Sequence, residues 1–239
     1  ATFHEGRLYL GGTKSRPNTL FGSRVARFFD FNPGEALDDD SIEATLDTGT
    51  ANPIIGMFSG RDLQIFTSGG EFFVPQSSLD PITPSNIVIN GSTRRGAKEG
   101  IKPVSVESGT IYIQKAGKAV REFLFSDAEL NYISNNVSLL SSHLLNDPQK
   151  MSLRKATSTT DGDLLMVLNT DGTMATYSLL RSQNITAPSL LSTGTQTCTI
   201  TVSDYTNIAV GTQLTFTDNN GTVITLQSEA ISGSAPSSP

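Results

Sequence analysis

The stretch LLMVLNTDGTMATYSL, residues 164–179, decides the fold class. An apolar run at 164–168 is followed by the polar segment 169–172, and then by a run in which apolar and polar residues alternate. An Asp-Gly pair favours a tight turn, and alternation at a period of two is typical of a strand with one buried face. The stretch therefore predicts a β-hairpin.

Two further stretches repeat this pattern, DLQIFTSGGEFFV at 62–74 and TIYIQKAGKAVREFLF at 110–125. The turn glycines Gly70, Gly117 and Gly172, each expected to adopt positive φ, lie 47 and 55 residues apart. That spacing is near the period of a β-propeller blade, although it is irregular. We therefore predict a mainly β fold of irregular, propeller-like hairpin blades. The core residues expected in the first hairpin are Leu63, Ile65, Phe72 and Val74.

One short helix is expected at residues 136–145, where apolar residues recur at helical spacing. Asn135 or Asn136 can act as its N-cap, and Pro148 lies just beyond its end. The residues on the predicted helix face are Leu139, Leu140, His143 and Leu144.

A change in composition near residues 187–188 predicts two domains, a propeller-like core at 1–190 and a Thr-rich β module at 191–239. The alternating strands expected in the module lie at 195–202, 213–217 and 222–226. We expect the module to be incomplete, because its Ser/Pro-rich tail supplies no closing strand. The abrupt ends of the chain also suggest a fragment of a longer protein.

The composition limits the classes of function. Hydrophobic residues make up 36% of the chain and the formal net charge is −6, so the overall field does not attract nucleic acid. The densest basic cluster, residues 94–98, is interpreted as an exposed loop. Cys198 is the only cysteine, which excludes an intrachain disulfide. No apolar run approaches the length of a membrane span, so no membrane segment is predicted.

The densest acidic group comprises Asp38, Asp39 and Asp40, with Glu43 close by. Such a group could hold a cation or supply a carboxylate pair for acid–base catalysis. It lacks the alternating ligands and the turning glycine of a metal-binding loop. An acidic turn before a strand at 41–46 is therefore the favoured interpretation.

Other catalytic and cofactor patterns are not found in the sequence. The segment 11–15 lacks the spacing of a phosphate-binding loop, and there is no GxSxG motif. His4 lies near the start of the chain, and His143 lies on the predicted helix, where a structural role is favoured over that of a general base. We therefore predict no catalytic residue, no cofactor site and no metal site, and expect that the protein is not an enzyme.

A series of short motifs follows a fixed order over residues 3–186. The motifs include Phe3-His-Glu-Gly-Arg7-Leu8-Tyr9-Leu-Gly11, Phe28-Phe-Asp30-Phe31, Asp38-Asp39-Asp40-Ser41-Ile42-Glu43, Gly69-Gly70-Glu71, Ile82-Thr83-Pro84-Ser85-Asn86-Ile87 and Asp171-Gly172-Thr173-Met174. In this order they resemble the tail nozzle proteins of short-tailed phages, also called tail tubular protein B. The sequence departs from that family near residues 183–188, where the Thr-rich module begins.

The resemblance implies a structural protein of the virion tail, made in the cytoplasm of a bacterial host. Copies of the chain are expected to associate into a ring, with six copies as the expected number. The implied partners are the portal or adaptor above the ring and tail fibre or spike proteins. The implied function is to enclose a channel through which the genome is ejected, with transient and non-specific passage of DNA.

Two other functions are compatible with the sequence. The first is a glycan-binding or host-adhesion module of a tail fibre or baseplate, in which Tyr205 and Phe216 of the Thr-rich module could contribute stacking surfaces. The second is a tail-associated hydrolase, with residues 38–40 or Glu71 as acid groups.

Overall fold

The computed structural model describes residues 1–47, 52–75, 81–106, 109–158, 161–180, 185–192, 213–217 and 223–227. These residues are mainly β, as the sequence predicts, and they contain no α-helix. The chain divides into two compact units, Ala1–Gly194 and Thr195–Pro239. The first unit contains four antiparallel sheets of four strands each.

The strands of the first two sheets follow one another along the chain, each pairing with the next. The first sheet contains β1 (Thr2–His4), β2 (Arg7–Gly11), β3 (Thr19–Gly22) and β4 (Ile42–Thr45). The second contains β5 (Ile54–Ser59), β6 (Leu63–Thr67), β7 (Glu71–Val74) and β8 (Asn90–Thr93).

The third and fourth sheets have the same sequential order. The third contains β9 (Val104–Val106), β10 (Gly109–Ile113), β11 (Val120–Ser126) and β12 (Asn131–Asn136). The fourth contains β13 (Pro148–Arg154), β14 (Asp163–Asn169), β15 (Thr173–Leu180) and β16 (Ile185–Ser192). All three predicted hairpins are confirmed, because they supply the central strand pairs of sheets two, three and four.

Local chemistry fixes the turn of the hairpin that joins β14 to β15. Gly172 has φ +79°, a backbone conformation that favours glycine. Asp171 Oδ1 accepts hydrogen bonds from the backbone N–H of Thr173 at 2.9 Å and from its hydroxyl at 2.6 Å. These bonds set the register that pairs Leu165 with Tyr177, both of which are fully buried.

Three clusters of buried apolar side chains hold consecutive sheets together. The first cluster, which includes Tyr9 and Leu63, joins sheets one and two, and the second, which includes Phe66 and Phe123, joins sheets two and three. The third, which includes Ile111, joins sheets three and four. No buried cluster of the described residues joins sheet one to sheet four. Sheets one and four therefore lie at the two ends of this series of contacts.

The predicted core of the first hairpin needs one correction. Leu63, Ile65 and Val74 are buried as predicted, but Phe72 is only half-buried. The strand β6 is buried on both faces rather than on alternate residues, because sheets one and three cover it from opposite sides. Phe73 is the more deeply buried of the two adjacent phenylalanines.

The prediction that Gly70 adopts positive φ is wrong, whereas it is confirmed for Gly117 and Gly172. In the first hairpin the Thr67 hydroxyl holds the turn by donating to Gly70 O at 2.8 Å and accepting from Gly70 N at 3.0 Å. A Cβ at position 70 would lie 2.7 Å from Thr93 O. The glycine is therefore needed for close packing rather than for a left-handed backbone.

The predicted helix at 136–145 is also wrong, because only a 3-10 turn at Ser142–Leu144 forms there. Asn136 Oδ1 accepts from Ser138 N at 3.1 Å, and Ser138 Oγ accepts from Val120 N at 2.9 Å. Such side-chain to backbone bonds compete with helix formation. Leu139 and Leu140 are exposed as a result, with 69% and 92% of their surfaces accessible.

The composition change at 187–188 lies within a strand. The strand β16 pairs with β15 throughout Ile185–Ser192, and the predicted boundary at residue 190 falls inside it. Pro188 lies on an edge strand, the position in a sheet to which proline is usually confined. In the second unit, β17 (Gln213–Thr217) pairs with β18 (Val223–Gln227), close to two predicted strands. The predicted strand at 195–202 lies outside the described residues.

Among the described residues, no helix is long and apolar enough to cross a membrane.

Candidate functional site

A row of apolar side chains runs along the outward face of the fourth sheet, which no other described residues cover. In β14, alternate residues such as Leu165 are buried against sheet three, so the residues between them point the other way and are half-buried. The cross-strand register extends this surface over β15 and β16, where Met174 pairs with Leu191. We call this surface the fourth-sheet face. Its apolar residues are Leu164, Met166, Leu168, Met174, Leu180, Ile185 and Leu191.

The run LLMVL in β14 is apolar at every position, a pattern typical of a strand covered on both faces. Within the described residues only one of its faces is covered. The sequence of this strand therefore indicates that the fourth-sheet face acquires a cover.

The outward face of the first sheet is its counterpart. Tyr9 is fully buried toward sheet two, so Leu8 and Leu10 project outward, and Leu10 pairs with Phe21. Phe3, 60% exposed, extends this surface and packs edge-on against the Phe28 ring, with 5.1 Å between ring centroids. We call this surface the first-sheet face. Its apolar residues are Phe3, Leu8, Leu10, Phe21 and Phe28.

Charged residues stand at the margins of both faces, and most of them are paired within the chain. On the fourth-sheet face, Lys150 lies opposite Leu168 and Arg154 lies opposite Leu164. Arg154 also lies 3.1 Å from Asp161 Oδ2. On the first-sheet face, Glu43 lies opposite Phe21 and forms an ion pair with Arg16. Because Glu43 and Arg154 already have exposed partners, these charges add little to any attraction between the two faces.

The acidic group at residues 38–40 is part of the framework of sheet one. The Arg7 side chain, only 2% exposed, donates to the backbone carbonyls of Ser23 at 2.7 Å, Asp40 at 2.5 Å and Asp38 at 2.6 Å. Burial lowers the pKa of Arg7, whereas Tyr9 and the nearby aspartates oppose that shift. This role of Arg7 could not be predicted from the sequence, which gives no signal for it beyond its place in the first motif.

The Asp40 side chain, 1% exposed, is fully engaged in local structure. Its Oδ2 accepts from Leu37 N and Glu35 N, both at 3.0 Å, and Arg24 forms an ion pair with Oδ1. The hydrogen bond from Leu37 N holds the pKa of Asp40 below its ordinary value, with help from Arg24 and Glu35 N. Asp38 and Asp39 are exposed. The described residues contain no group of three or more His, Cys, Asp or Glu that could hold a metal ion.

Glu71 is fully buried between sheets two and three. Its Oε2 accepts from the Thr93 hydroxyl and from Arg95 N, which ties β7 to the basic loop at 94–98. Burial raises the pKa of Glu71, and the bond from Thr93 partly offsets this effect. The arginines of that loop, Arg94 and Arg95, are exposed, as the sequence predicts.

The histidines and the segment 11–15 lie apart from one another. His4 is buried, and its Nδ1 lies 2.8 Å from Ser59 Oγ. His143 is exposed on the 3-10 turn, so it does not occupy the predicted apolar helix face. Gly12 has φ +73°, and a Cβ there would lie 2.2 Å from Ile54 O, so this segment packs tightly against sheet two.

Comparison with models of known protein families gives no match, and comparison with curated proteins gives no significantly similar sequence.

Proposed function

We propose that this chain is a structural subunit of a phage tail, which associates head-to-tail into a ring around a channel for genome ejection. In this proposal the four sheets are consecutive blades of an open, propeller-like body. The observation that carries the proposal is the pair of apolar faces that the described residues leave uncovered at the two ends of the series. The order of motifs along the chain supports the tail location.

A second copy of the chain is the occupant that fits both faces. The fourth-sheet face of one copy and the first-sheet face of the next each carry a row of apolar side chains that are half-buried or exposed. Full burial of a Leu or Met side chain contributes about 1.5–3 kcal/mol. Completing the burial of one that is already half-buried would therefore contribute about 1 kcal/mol. A contact between two different faces generates rings when the rotation closes.

The same proposal assigns the chain no catalytic role. The Asp40 carboxylate is held by Arg24 and by two backbone N–H groups, and Glu71 is sealed from solvent, so neither is placed to meet a substrate. We further propose that the ring contacts a portal or adaptor on one side and fibre or spike proteins on the other, and that DNA passes through it without specific binding.

Two complementary variants test the head-to-tail contact. Leu168→Lys places a charge on the fourth-sheet face and leaves the first-sheet face intact, whereas Phe21→Lys does the reverse. Each variant alone is expected to stay monomeric under conditions in which the wild-type chain assembles. An equimolar mixture is expected to form dimers and nothing larger, because one intact pair of faces remains. Mass photometry measures all three states.

Leu140→Lys is the matched control, since it makes the same substitution at a leucine that is 92% exposed and lies on neither face. It is expected to assemble like the wild-type chain. Self-association of Phe21→Lys into dimers would contradict the proposal, because it would indicate a contact between two fourth-sheet faces. A mixture of the two variants that stays monomeric would contradict it as well.

A further inference from the structure

Two exposed leucines occupy the tip of a turn between β12 and β13. Leu139 and Leu140 are the central residues of a β-turn that Ser141 N closes by donating to Ser138 O at 2.9 Å. The leucines are 69% and 92% exposed, whereas both flanking serines are buried. Central turn positions usually hold Gly, Pro, Asn, Asp or Ser, which suit the turn backbone or bond to it. The turn itself therefore gives no reason for two leucines. We call residues 138–141 the dileucine turn.

The sheet body anchors this turn from below. Ser138 Oγ accepts from Val120 N at 2.9 Å and donates to Asn136 Oδ1 at 3.2 Å. Val137 N donates to Val120 O at 2.9 Å. These bonds tie the base of the turn to β11, so the two leucines are held out in solvent and do not fold back onto the sheet.

Two basic segments lie at the same end of the body as the dileucine turn. The basic loop at 94–98 and the turn at 114–118 contain five Lys or Arg residues and no acidic residue. The backbone N–H of Lys115 donates to a carbonyl of the basic loop at 2.8 Å, which joins the two segments. Lys118 Nζ donates to Leu145 O at 3.4 Å, in the connection that carries the dileucine turn.

These cations are only partly neutralised within the chain. Lys98 forms an ion pair with Asp147 at 2.7 Å. Arg95, Lys115 and Lys118 are exposed, and no carboxylate of the described residues forms an ion pair with them. Five cations thus stand against three carboxylates in these segments and the adjoining turns of sheets three and four, those of Glu99, Asp147 and Asp171.

We infer that this end of the body docks on a membrane surface rich in anionic lipids. The dileucine turn enters the boundary between headgroups and acyl chains, and Arg95, Lys115 and Lys118 face lipid phosphates. Binding at a membrane interface grows with the apolar area inserted and with the attraction of cations to anionic headgroups, and this end supplies both. A convex tip of two residues offers far less than the about 1,200–2,000 Å² that a stable protein–protein contact buries. The inference goes beyond the proposed function and does not depend on assembly into a ring.

Co-sedimentation of the full chain with lipid vesicles tests the inference. The vesicles consist of phosphatidylcholine alone, or of phosphatidylcholine with about one-third phosphatidylglycerol. The chain is expected to bind the anionic vesicles and to bind the neutral vesicles at least about tenfold more weakly. Absence of binding to the anionic vesicles, or equal binding to both kinds, would overturn the inference.

Leu140→Ser tests the apolar contribution. Its matched control is Leu130→Ser, because Leu130 is 77% exposed and lies in the turn between β11 and β12, at the opposite end of sheet three. Leu140→Ser is expected to weaken binding to the anionic vesicles by about tenfold, and the control by less than about twofold. Equal weakening by the two variants would contradict the placement of the dileucine turn in the bilayer.

Lys115→Gln tests the charge contribution, with the exposed Lys155 of the connection between β13 and β14 changed to Gln as its control. Lys115→Gln is expected to weaken binding by about fivefold and Lys155→Gln by less than about twofold. Duplex DNA and polyglutamate serve as soluble polyanions in fluorescence anisotropy. Binding to either polyanion without binding to the vesicles would overturn the inference, because cations alone would then account for the surface.

Discussion

Phe123→Ala is the change expected to weaken the body of the protein most, because Phe123 lies between sheets two and three. Its side chain is fully buried, stacked on the Tyr132 ring with 4.6 Å between centroids, and edge-on to the Phe66 ring at 5.5 Å. Burying the ring contributes about 1.5–3 kcal/mol, and each aromatic pair adds about 0.5–1.5 kcal/mol. We expect Phe123→Ala to lower the free energy of unfolding by about 3–5 kcal/mol.

Urea unfolding followed by far-UV circular dichroism measures this loss. Phe29→Ala, at a residue 92% exposed, is the matched control and is expected to change stability by less than about 0.5 kcal/mol. Phe72→Ala, at the half-buried position for which the sequence predicts full burial, is expected to fall between the two. If Phe123→Ala proved no more destabilising than Phe29→Ala, the packing between sheets two and three would be refuted.

Three further predictions concern single polar groups. Burial raises the pKa of Glu71 above its ordinary value of 4.5, so its stabilising contribution is complete below pH 4.5 and is lost as the pH rises through the folded-state pKa. Glu71→Gln should flatten this decline of the urea midpoint with pH. An unchanged dependence of the midpoint on pH would contradict the assignment. The hydrogen bond from Asn146 helps hold the pKa of Asp171 at about 2. In the Asn146→Ala variant, NMR titration should therefore show the pKa of Asp171 rising toward its ordinary value of 3.8. An unchanged pKa would refute the role of that bond. Arg7→Met should lower the free energy of unfolding in urea by at least about 3 kcal/mol, because three carbonyls lose their donor. Its control, Arg16→Met, removes an exposed ion pair and should lower it by about 0–1 kcal/mol. Equal losses would contradict the role of Arg7.

The central hairpins could be predicted because their information is local. In residues 164–179, for example, a turn sequence stands between two apolar strands, and no distant residue is needed to identify the pair. Edge strands such as β9 and β13 carry weaker patterns. The three residues of β9 and the mostly polar β13 form strands because a neighbouring strand supplies their hydrogen-bond partners.

Tertiary contacts override local pattern in the remaining cases. Leu139 and Leu140 have helical spacing, but Ser138 and Asn136 bond to backbone groups and prevent the helix. Phe72 lies on the face of β7 that the alternation of residues predicts. Its exposed fraction, however, depends on how far sheet one extends over it. The first-sheet and fourth-sheet faces could not be predicted, because an apolar strand such as β14 does not reveal which of its faces the rest of the chain covers.

The most direct test of the central claim is electron microscopy of the purified chain, with class averages of particles viewed down the expected ring axis. We expect closed rings with an open centre, in which neighbouring copies meet through the fourth-sheet and first-sheet faces. Particles that stay monomeric at all concentrations, or that pair only as two-fold dimers, would contradict the claim.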